Sequence, residues 1–584
     1  MFSDNKFKDH NHPNPIMYRE DYILLNGEWD FLFDYKNKGE KEGLSRGFTS
    51  EYKINVPYVY NTPKSNINIT KKCDNVWYSK VLHFDELKDR YILHFEGSDY
   101  ITKVFINSEL LSIEKGGYHR ISYDITDYLT IGDNTLVVKC EDSFRLTQPR
   151  GKQRFLKKNY LCWYEEVTGI YKTVWIEKRK ESSIESLHIK PSLKEKLIDF
   201  HIITTSEIGT LEIELSYKDK LIKKDIINMS GLFINHEMKI DSDTIPWEVL
   251  NPALYDLKLT LKDDKGVEDI LYTYTAFRDI EVDGSRILLN GNPIYQKLVL
   301  DQGYFNDSLL TGSYNELEDD ILNMIKCGFN GARKHQKIED ERYYYLADKY
   351  GFIVWAEMPS MYKFNSLSRD NFFSEYAKVL KQLINHPSII TWVIFNESWG
   401  IFRIHHSNNQ IAYVNMLYKY TKGIDDTRLV ISNDGWDHTI SDILTIHLYD
   451  QDQVKFKDNI DKAIKTGIIK SFTKKHTFAK GYHYNNEPIM ISEFGGTSFV
   501  NNIKGTWGYG KSVKDVSEYR DRLDNLFAVI QNDDRIIGYC YTQVSDVMQE
   551  TNGIYTMDRK AKIDPSELNA IQKRRDNAGI REIK

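Results

Sequence analysis

From about residue 277 onward one texture recurs: a segment with apolar residues three and four apart leads into a compact apolar run that ends abruptly in polar side chains. Eight such runs can be counted: "IYQKLVLD", "GFNGARKH", "GFIVWAEMP", "IITWVIFNES", "RLVISNDGW", "DILTIHLYD", "PIMISEFGG" and "IIGYCYTQVSD". The three-and-four spacing is the period of a helix, and short runs without alternation read as strands buried on both faces. Eight such strands alternating with helices predict a (β/α)8 barrel. The competitor is an open doubly wound sheet, but no GxGxxG follows any of the runs.

Upstream the texture is different. Runs such as "WDFLFDY", "RYILHFEG", "TKVFINSEL", "NTLVVKCED" and "KTVWIEKRK" are short, alternate in polarity and are broken by turn residues, which is the pattern of an antiparallel sandwich. The stretches "LIDFHIITT", "LEIELSYK" and "YDLKLTLKDD" continue it as a second, smaller sandwich. The expected division of the 584 residues is therefore 1–181, 182–276 and 277–584.

Composition narrows the class of partner. A net charge of -7 supplies no field that would gather polyphosphate, so nucleic acid is excluded as the expected partner. The opening "MFSDNKFKDHNHPNPIMYRE" lacks the apolar core of a signal peptide, and nowhere do 18 apolar residues run together. The expectation is a cytoplasmic protein that makes no use of a membrane. Cys73, Cys140, Cys162, Cys327 and Cys540 lie far apart, form no CxxC and are odd in number, so they read as reduced thiols.

In a barrel of this kind chemistry sits at the carboxyl ends of the strands. The residues closing the runs are Arg333 and His335, Glu357, Asn396 and Glu397, Asn433, Asp434 and Trp436, His447 and Tyr449, Glu493, and Gln543 and Asp546. A core needs none of them, and burying so many polar groups is unfavourable unless they face a cleft. Glu397 and Glu493, closing the fourth and seventh strands, would meet across the barrel mouth. Two facing carboxyl groups are what splitting a glycosidic bond requires: one protonates the leaving oxygen and the other meets the charge developing at the sugar carbon. Asn396 would then be free to donate to the sugar hydroxyl beside that carbon, and Trp399 and Trp436 would help wall the site.

The chain resembles the glycoside hydrolases of family 2, the β-galactosidase and β-glucuronidase family, over nearly its whole length. The residues that carry the resemblance are "LNGEWDFLFD", "VFINSELL", "KGGYHRISYDIT", "GDNTLVVK", "QPRGKQ" and "EEVTGIYKTVWIE" in the first third, then "FNESWG" and "ISEFGG" in the barrel. The resemblance implies a jelly-roll sugar-binding-like sandwich, an immunoglobulin-like sandwich and a catalytic TIM barrel. It implies Glu397 as acid/base and Glu493 as nucleophile of a retaining mechanism, with the two carboxyl groups about 5–5.5 Å apart. It also implies that Tyr449 hydrogen-bonds the nucleophile and that Asp142 reaches over the mouth to a distal hydroxyl. His335, His447, Glu357, Arg333 and Gln543 complete the expected substrate-facing set. No cofactor and no catalytic metal are expected, the partner is a carbohydrate, and a homo-oligomer is usual for the family.

Departures from the family pattern bear on the sugar. The nucleophile run is Glu493-Phe494-Gly495-Gly496, where β-galactosidases carry a histidine. Where β-glucuronidases carry Asn-x-Lys to grip a carboxylate, this chain has Glu550, Thr551 and Asn552, and a glutamate facing a uronate repels it. The expectation is a neutral sugar, a β-galactoside first, with β-mannoside, α-L-arabinopyranoside or β-glucoside behind it, β-glucuronide disfavoured, and a non-catalytic carbohydrate-binding protein as the rival from another class.

Overall fold

A computed structural model describes residues 10–470, 473–500 and 504–574. Residues 1–9, on which part of the signal-peptide argument rests, lie outside the described residues.

The first sandwich packs a six-stranded antiparallel sheet, with Gly27–Phe33, Asn75–Phe84 and Gly132–Glu141 at its centre, onto a four-stranded sheet that contains Arg90–Phe95 and Val174–Arg179. Its core is Trp29, Phe31, Tyr78, Leu93, Phe95, Val104 and Val138 with their neighbours, all buried. The second sandwich is smaller, three strands against four. Alternation is plain along Ile208–Tyr217, where Leu211, Ile213 and Leu215 are buried while Glu212 and Glu214 lie between them on the outer face.

All eight runs form barrel strands. They are β1 Gln296–Asp301, β2 Gly331–Lys334, β3 Ile353–Glu357, β4 Ile389–Val393, β5 Leu429–Ile431, β6 Leu444–His447, β7 Ile489–Gly495 and β8 Ile536–Thr542. They make one parallel eight-stranded sheet in the order β5-β4-β3-β2-β1-β8-β7-β6. The barrel is nearly closed, since β5 and β6 lie at the two ends of that order and share no ladder among the described residues. Helices α1 Tyr314–Lys326, α2 Glu341–Tyr350, α3 Ser366–Leu383 and α4 Asn408–Ile424 follow the first four strands. Helices α5 Gln453–Thr466, α6 Val516–Gln531 and α7 Pro565–Gln572 follow the last three. The connection from β5 to β6 carries no α-helix, which departs from the strict alternation expected and coincides with the open seam.

The helices form where the sequence supplies both a face and an end. In α1, Leu317, Ile321 and Met324 recur at helical spacing on the buried side, and burying each contributes roughly 1.5–3 kcal/mol. Its start is fixed by a capping box, in which the Ser313 hydroxyl accepts from the Glu316 N–H while the Glu316 carboxylate accepts from the Ser313 N–H. Replacing Ile321 by Asp would place an unpaired charge on that face.

The first sandwich sits against the side and rim of the barrel. Val59, Tyr164, Val167 and Tyr171 from the sandwich pack with Tyr304, Leu309, Leu310 and Val547 from the barrel loops. The Glu375 side chain on α3 accepts from the backbone N–H groups of Gly117 at 2.7 Å and Tyr118 at 2.6 Å, and Arg120 pairs with Glu341 at 2.6 Å. The second sandwich meets the opposite end, the floor. There the Tyr274 hydroxyl donates to Asp348 at 2.6 Å. All five cysteines are free, and among the described residues no helix is long and apolar enough to cross a membrane.

Candidate active site

The polar residues closing the strands converge as the runs imply. β4 passes into a turn at Asn396, and both Glu397 and Ser398 take left-handed backbone conformations with φ of 51° and 61°, which non-glycine residues adopt at some strain. The turn is held by Glu397 N–H donating to the Asp434 carbonyl at 2.9 Å and by Ser398 N–H donating to the Asn433 side chain at 2.9 Å. The effect is to aim the Glu397 carboxyl across the mouth instead of along the strand. Gly435 is required beside it, because a Cβ there would lie 2.6 Å from the His447 ring.

Glu493, closing β7, faces it. One carboxyl oxygen of Glu397, one of Glu493 and one ring nitrogen of His447 all lie within 4.8 Å of one another. His447 Nδ1 is 2.9 Å from Glu397 and 3.5 Å from Glu493, and its Nε2 is 3.3 Å from Asp434. Arg333, fully buried, reaches Glu357 at 2.6 Å, Glu493 at 2.8 Å and Asp434 at 2.8 Å, and also donates to the Asn396 side-chain oxygen at 2.6 Å. The Tyr449 hydroxyl donates to the second oxygen of Glu493, and its ring stacks on Tyr509 with centroids 3.5 Å apart.

These contacts set the charges. Burial opposes ionisation of Glu493, but the charges of His447 and Arg333 outweigh it and hold its pKa down to about 2. Burial also opposes a charge on His447, yet Glu493 and Asp434 push it up to about 10, so the ring is an imidazolium at neutral pH. Burial, then the neighbouring Glu493, raises Tyr449 well above its ordinary value and keeps it a donor. The site thus holds an ionised Glu493 gripped by two donors, Arg333 and Tyr449, with the imidazolium 3.5 Å away, while Glu397, one-fifth exposed, is open to solvent and substrate.

The space these groups line, counted out to its open side, is about 310 Å³. Glu397, Glu493, Asn396, His335, Trp399 and Tyr449 line it. The Asn396 side-chain nitrogen has no partner among the described residues and is free to donate.

Others of the expected set stand behind the wall. Arg333 and Glu357 are a buried ion pair, and His447 and Asp434 sit beneath the two glutamates; all four orient groups that line the pocket. Trp436 lies behind His447 with ring centroids 5.6 Å apart. Gln543 is buried, donating to Asn552 at 2.7 Å and accepting from Gln302 at 2.6 Å, and it is Gln302 that lines the pocket.

Asp142 does not reach the mouth. It is drawn inward by Arg150 at 3.1 Å and Lys72 at 3.4 Å and accepts from Gln148 at 2.6 Å, so its carboxylate braces the loop that follows it. That loop makes the reach instead. Arg150 and Gly151 donate backbone N–H groups to the Ser360 carbonyl, and Gly151, at φ 59°, lies so close to the Gln336 carbonyl that a Cβ would come within 2.1 Å of it.

The next residue, Lys152, enters the pocket with its ammonium 4.9 Å above the Trp399 ring. Burial opposes its charge, but Cys162, Glu550, Glu493 and Glu397 outweigh burial and keep it a cation. It forms no ion pair among the described residues. Glu550 lines the same pocket, its carboxylate accepting from the hydroxyl of Tyr164 and, at 3.0 Å, from Asn552. Lys152 and Tyr509 are absent from the expected set. The one signal for Lys152 was its place in "QPRGKQ".

Among the described residues, two groups of side chains have donor atoms close enough for a metal: His405, Asp437 and His476, and the Glu397, His447 and Glu493 centre itself. At the second, a cation would compete with the imidazolium proton for the same oxygens.

Comparison with known proteins agrees with this geometry. The description "Glycosyl hydrolases family 2, sugar binding domain" matches residues 24–179, and "Glycosyl hydrolases family 2, TIM barrel domain" matches residues 280–574. A β-glucuronidase of Streptococcus agalactiae is 22% identical over 570 residues, covering 87% of this chain and 88% of that protein. A β-galactosidase of Photobacterium profundum is 22% identical over 488 residues, covering 75% of this chain, which spans only 45% of that protein's length. The solved β-glucuronidase from Ruminococcus gnavus in complex with D-glucuronic acid shares the fold with a TM-score of 0.79 at 19% identity, over 95% of this chain and 98% of that one.

Proposed function

The chain belongs to glycosyl hydrolase family 2, and from that membership we propose that it removes a terminal β-linked sugar by double displacement, with Glu493 as nucleophile and Glu397 as acid/base. The observation that carries this reading is the approach of the two carboxyl groups to within 4.8 Å across one pocket. That gap suits direct attack on the sugar and leaves no room for the intervening water of an inverting enzyme, which needs about 6.5–9.5 Å.

In the first step the ionised Glu493 attacks the anomeric carbon while Glu397 passes its proton to the departing oxygen, giving a covalent glycosyl-enzyme. Arg333 and Tyr449 fix the attacking carboxylate, and the Asn396 amide meets the adjacent sugar hydroxyl. In the second step Glu397 takes a proton from water, which attacks the same carbon and frees Glu493. The strand sets Tyr22–Arg179 and Ile184–Thr275 support domain borders near 181 and 276.

For the sugar itself, Glu550 supports a neutral ring, a β-galactoside first, since its carboxylate is an acceptor for hydroxyl donors. A second reading, a β-glucuronide, is favoured by Lys152, a buried cation without a counter-ion that would be satisfied by a carboxylate on the ring. The two separate on a panel of nitrophenyl β-galactoside, β-mannoside, β-glucoside and β-glucuronide.

With the best substrate, truncation of Glu493 to Gly plus azide is expected to give the inverted glycosyl azide, and Glu397→Ala plus azide the retained one. Undiminished turnover by Glu493→Gln would refute the nucleophile assignment.

A further inference from the structure

Where the second sandwich meets the barrel floor there is a cleft of about 370 Å³ that takes no part in the chemistry described above. Its walls include His188 and Lys190 from the strand Ile184–Ser192, Arg278 from the connection into the barrel, and Arg428 just ahead of β5. Four groups able to carry positive charge line one space.

The carboxylates nearby are already engaged. Asp425 accepts from Arg428 at 2.9 Å and from the Trp392 indole at 2.7 Å. Asp279 accepts from the backbone N–H groups of Leu193 at 3.0 Å and Lys194 at 2.8 Å. Asp426 pairs with Lys190 at 2.8 Å on the solvent side. Arg428 is saturated, since it also donates to the carbonyls of Ile389 and His386, each at 2.7 Å.

Arg278 is not. It is only 6% exposed, its terminal nitrogens reach no closer than 3.3 Å to the Thr427 carbonyl and 3.4 Å to the Ile389 carbonyl, and its Nε has no partner. Among the described residues it makes no ion pair. A buried guanidinium left in that state is strongly unfavourable unless something else completes it. Its proton affinity reflects the lack: burial and then the like charge of Arg428 push it down to about 9, and burial and Arg428 push the neighbouring His188 down to about 4.

The geometry points to a binding site in this cleft for a tetrahedral oxyanion, inorganic phosphate or sulfate, gripped by the Arg278 fork with Lys190 at its open side. The planar fork suits such an anion because it can give two parallel hydrogen bonds. Since the cleft joins the second sandwich to the floor, the anion acts as a clamp between them and stands apart from the substrate pocket at the other end of the barrel.

Equilibrium dialysis of the full chain with labelled phosphate, and separately with labelled sulfate, tests this in a zwitterionic buffer with sodium chloride fixing the ionic strength. The expected result is one saturable site per chain for at least one of the two ions, and a Tm that rises with that ion beyond the chloride control. Arg278→Gln should weaken binding at least tenfold, with activity on a nitrophenyl glycoside retained as the sign of a folded chain. Arg278→Lys, which keeps the charge and loses the fork, should fall between, and the exposed change Lys190→Gln should cost a few-fold. No saturable uptake of either ion by the wild type overturns the proposal. So does uptake that Arg278→Gln leaves undiminished, or a Tm rise equal in wild type and variant, which is the general exclusion of such ions from protein surfaces.

Discussion

The floor and the mouth of the barrel both bury carboxylates, and the clusters around Asp348 at the one and around Arg333 at the other are completed to different degrees. At the floor, Asp348 is fully enclosed: it accepts from the Tyr274 hydroxyl at 2.6 Å, the Ser388 N–H at 2.7 Å and His386 at 2.7 Å. Burial opposes the His386 charge, but Asp348 and Glu341 outweigh it and push the ring up to about 8. At the mouth, the carboxylates of Glu357, Glu493 and Asp434 share Arg333, while the Asn396 amide nitrogen faces the pocket without a partner among the described residues and the Lys152 ammonium faces it without an ion pair there. A satisfied network fastens two domains together; an unsatisfied one waits for a ligand. The difference teaches where to look for function in a structure that holds no ligand, because incomplete hydrogen bonding on a rigid frame marks the places that another molecule completes.

If that contrast is right, the mouth should answer to mutation in rate and the floor in stability. The largest effect expected is for Glu493→Gln, with kcat/KM of the folded protein down about ten-thousand-fold or more. A loss of activity only in proportion to the fraction unfolded in urea would erase the contrast. Next comes Asp348→Asn at the floor, where one partner of a buried charged pair is neutralised. Such a change costs about 3–5 kcal/mol in urea unfolding, and kcat of the protein that remains folded should be unchanged.

Tyr449→Phe removes one of the donors to the nucleophile. A hydrogen bond to a charged group is worth about 1.5–3 kcal/mol, so kcat should drop roughly 10- to 100-fold, read with substrate saturating so that a binding effect is not mistaken for it. A drop confined to KM would move Tyr449 from orienting the nucleophile to holding the sugar.

The smallest effect is in the pH dependence of stability. The pKa of Glu493 is lowered from 4.5 to about 2, so its contribution is present above pH 4.5 and is lost as pH falls toward 2. That of His447 is raised from 6.5 to about 10, so its contribution is full below pH 6.5 and is lost as pH rises through 10. His447→Gln should therefore flatten the alkaline decline of Tm and, by taking away the first charge that holds Glu493 down, lessen the acid decline as well. An alkaline slope identical to wild type would mean that His447 is not charged in the folded chain.

The frame was largely legible in the sequence because a strand buried on both faces leaves an unbroken apolar run, and the residue that ends the run must sit at the rim. Glu397, Glu493, Asn396 and Tyr449 were assigned to the rim in that way, and the structure brings them together at one pocket. Lys152 and Tyr509 were not, because each comes from a loop whose reach is fixed by contacts far away in the chain, such as Arg150 on the Ser360 carbonyl. The same blindness misplaced Asp142, since nothing local says that Arg150 and Lys72 will turn its carboxylate inward. Arg278, whose Nε has no partner among the described residues, gave no local sign either, as its neighbours Arg428 and Lys190 are distant in sequence.

A cage laced by ladders between seven neighbouring pairs of staves is closed at the eighth by single ties, among them the Asp442 N–H on the Val430 carbonyl at 2.9 Å. Asp434 stands on one lip of the gap and His447 on the other, 3.3 Å apart. The same ring faces Glu397 at 2.9 Å and Glu493 at 3.5 Å, so the side chain that helps shut the cylinder is also the one the two facing carboxyl groups share.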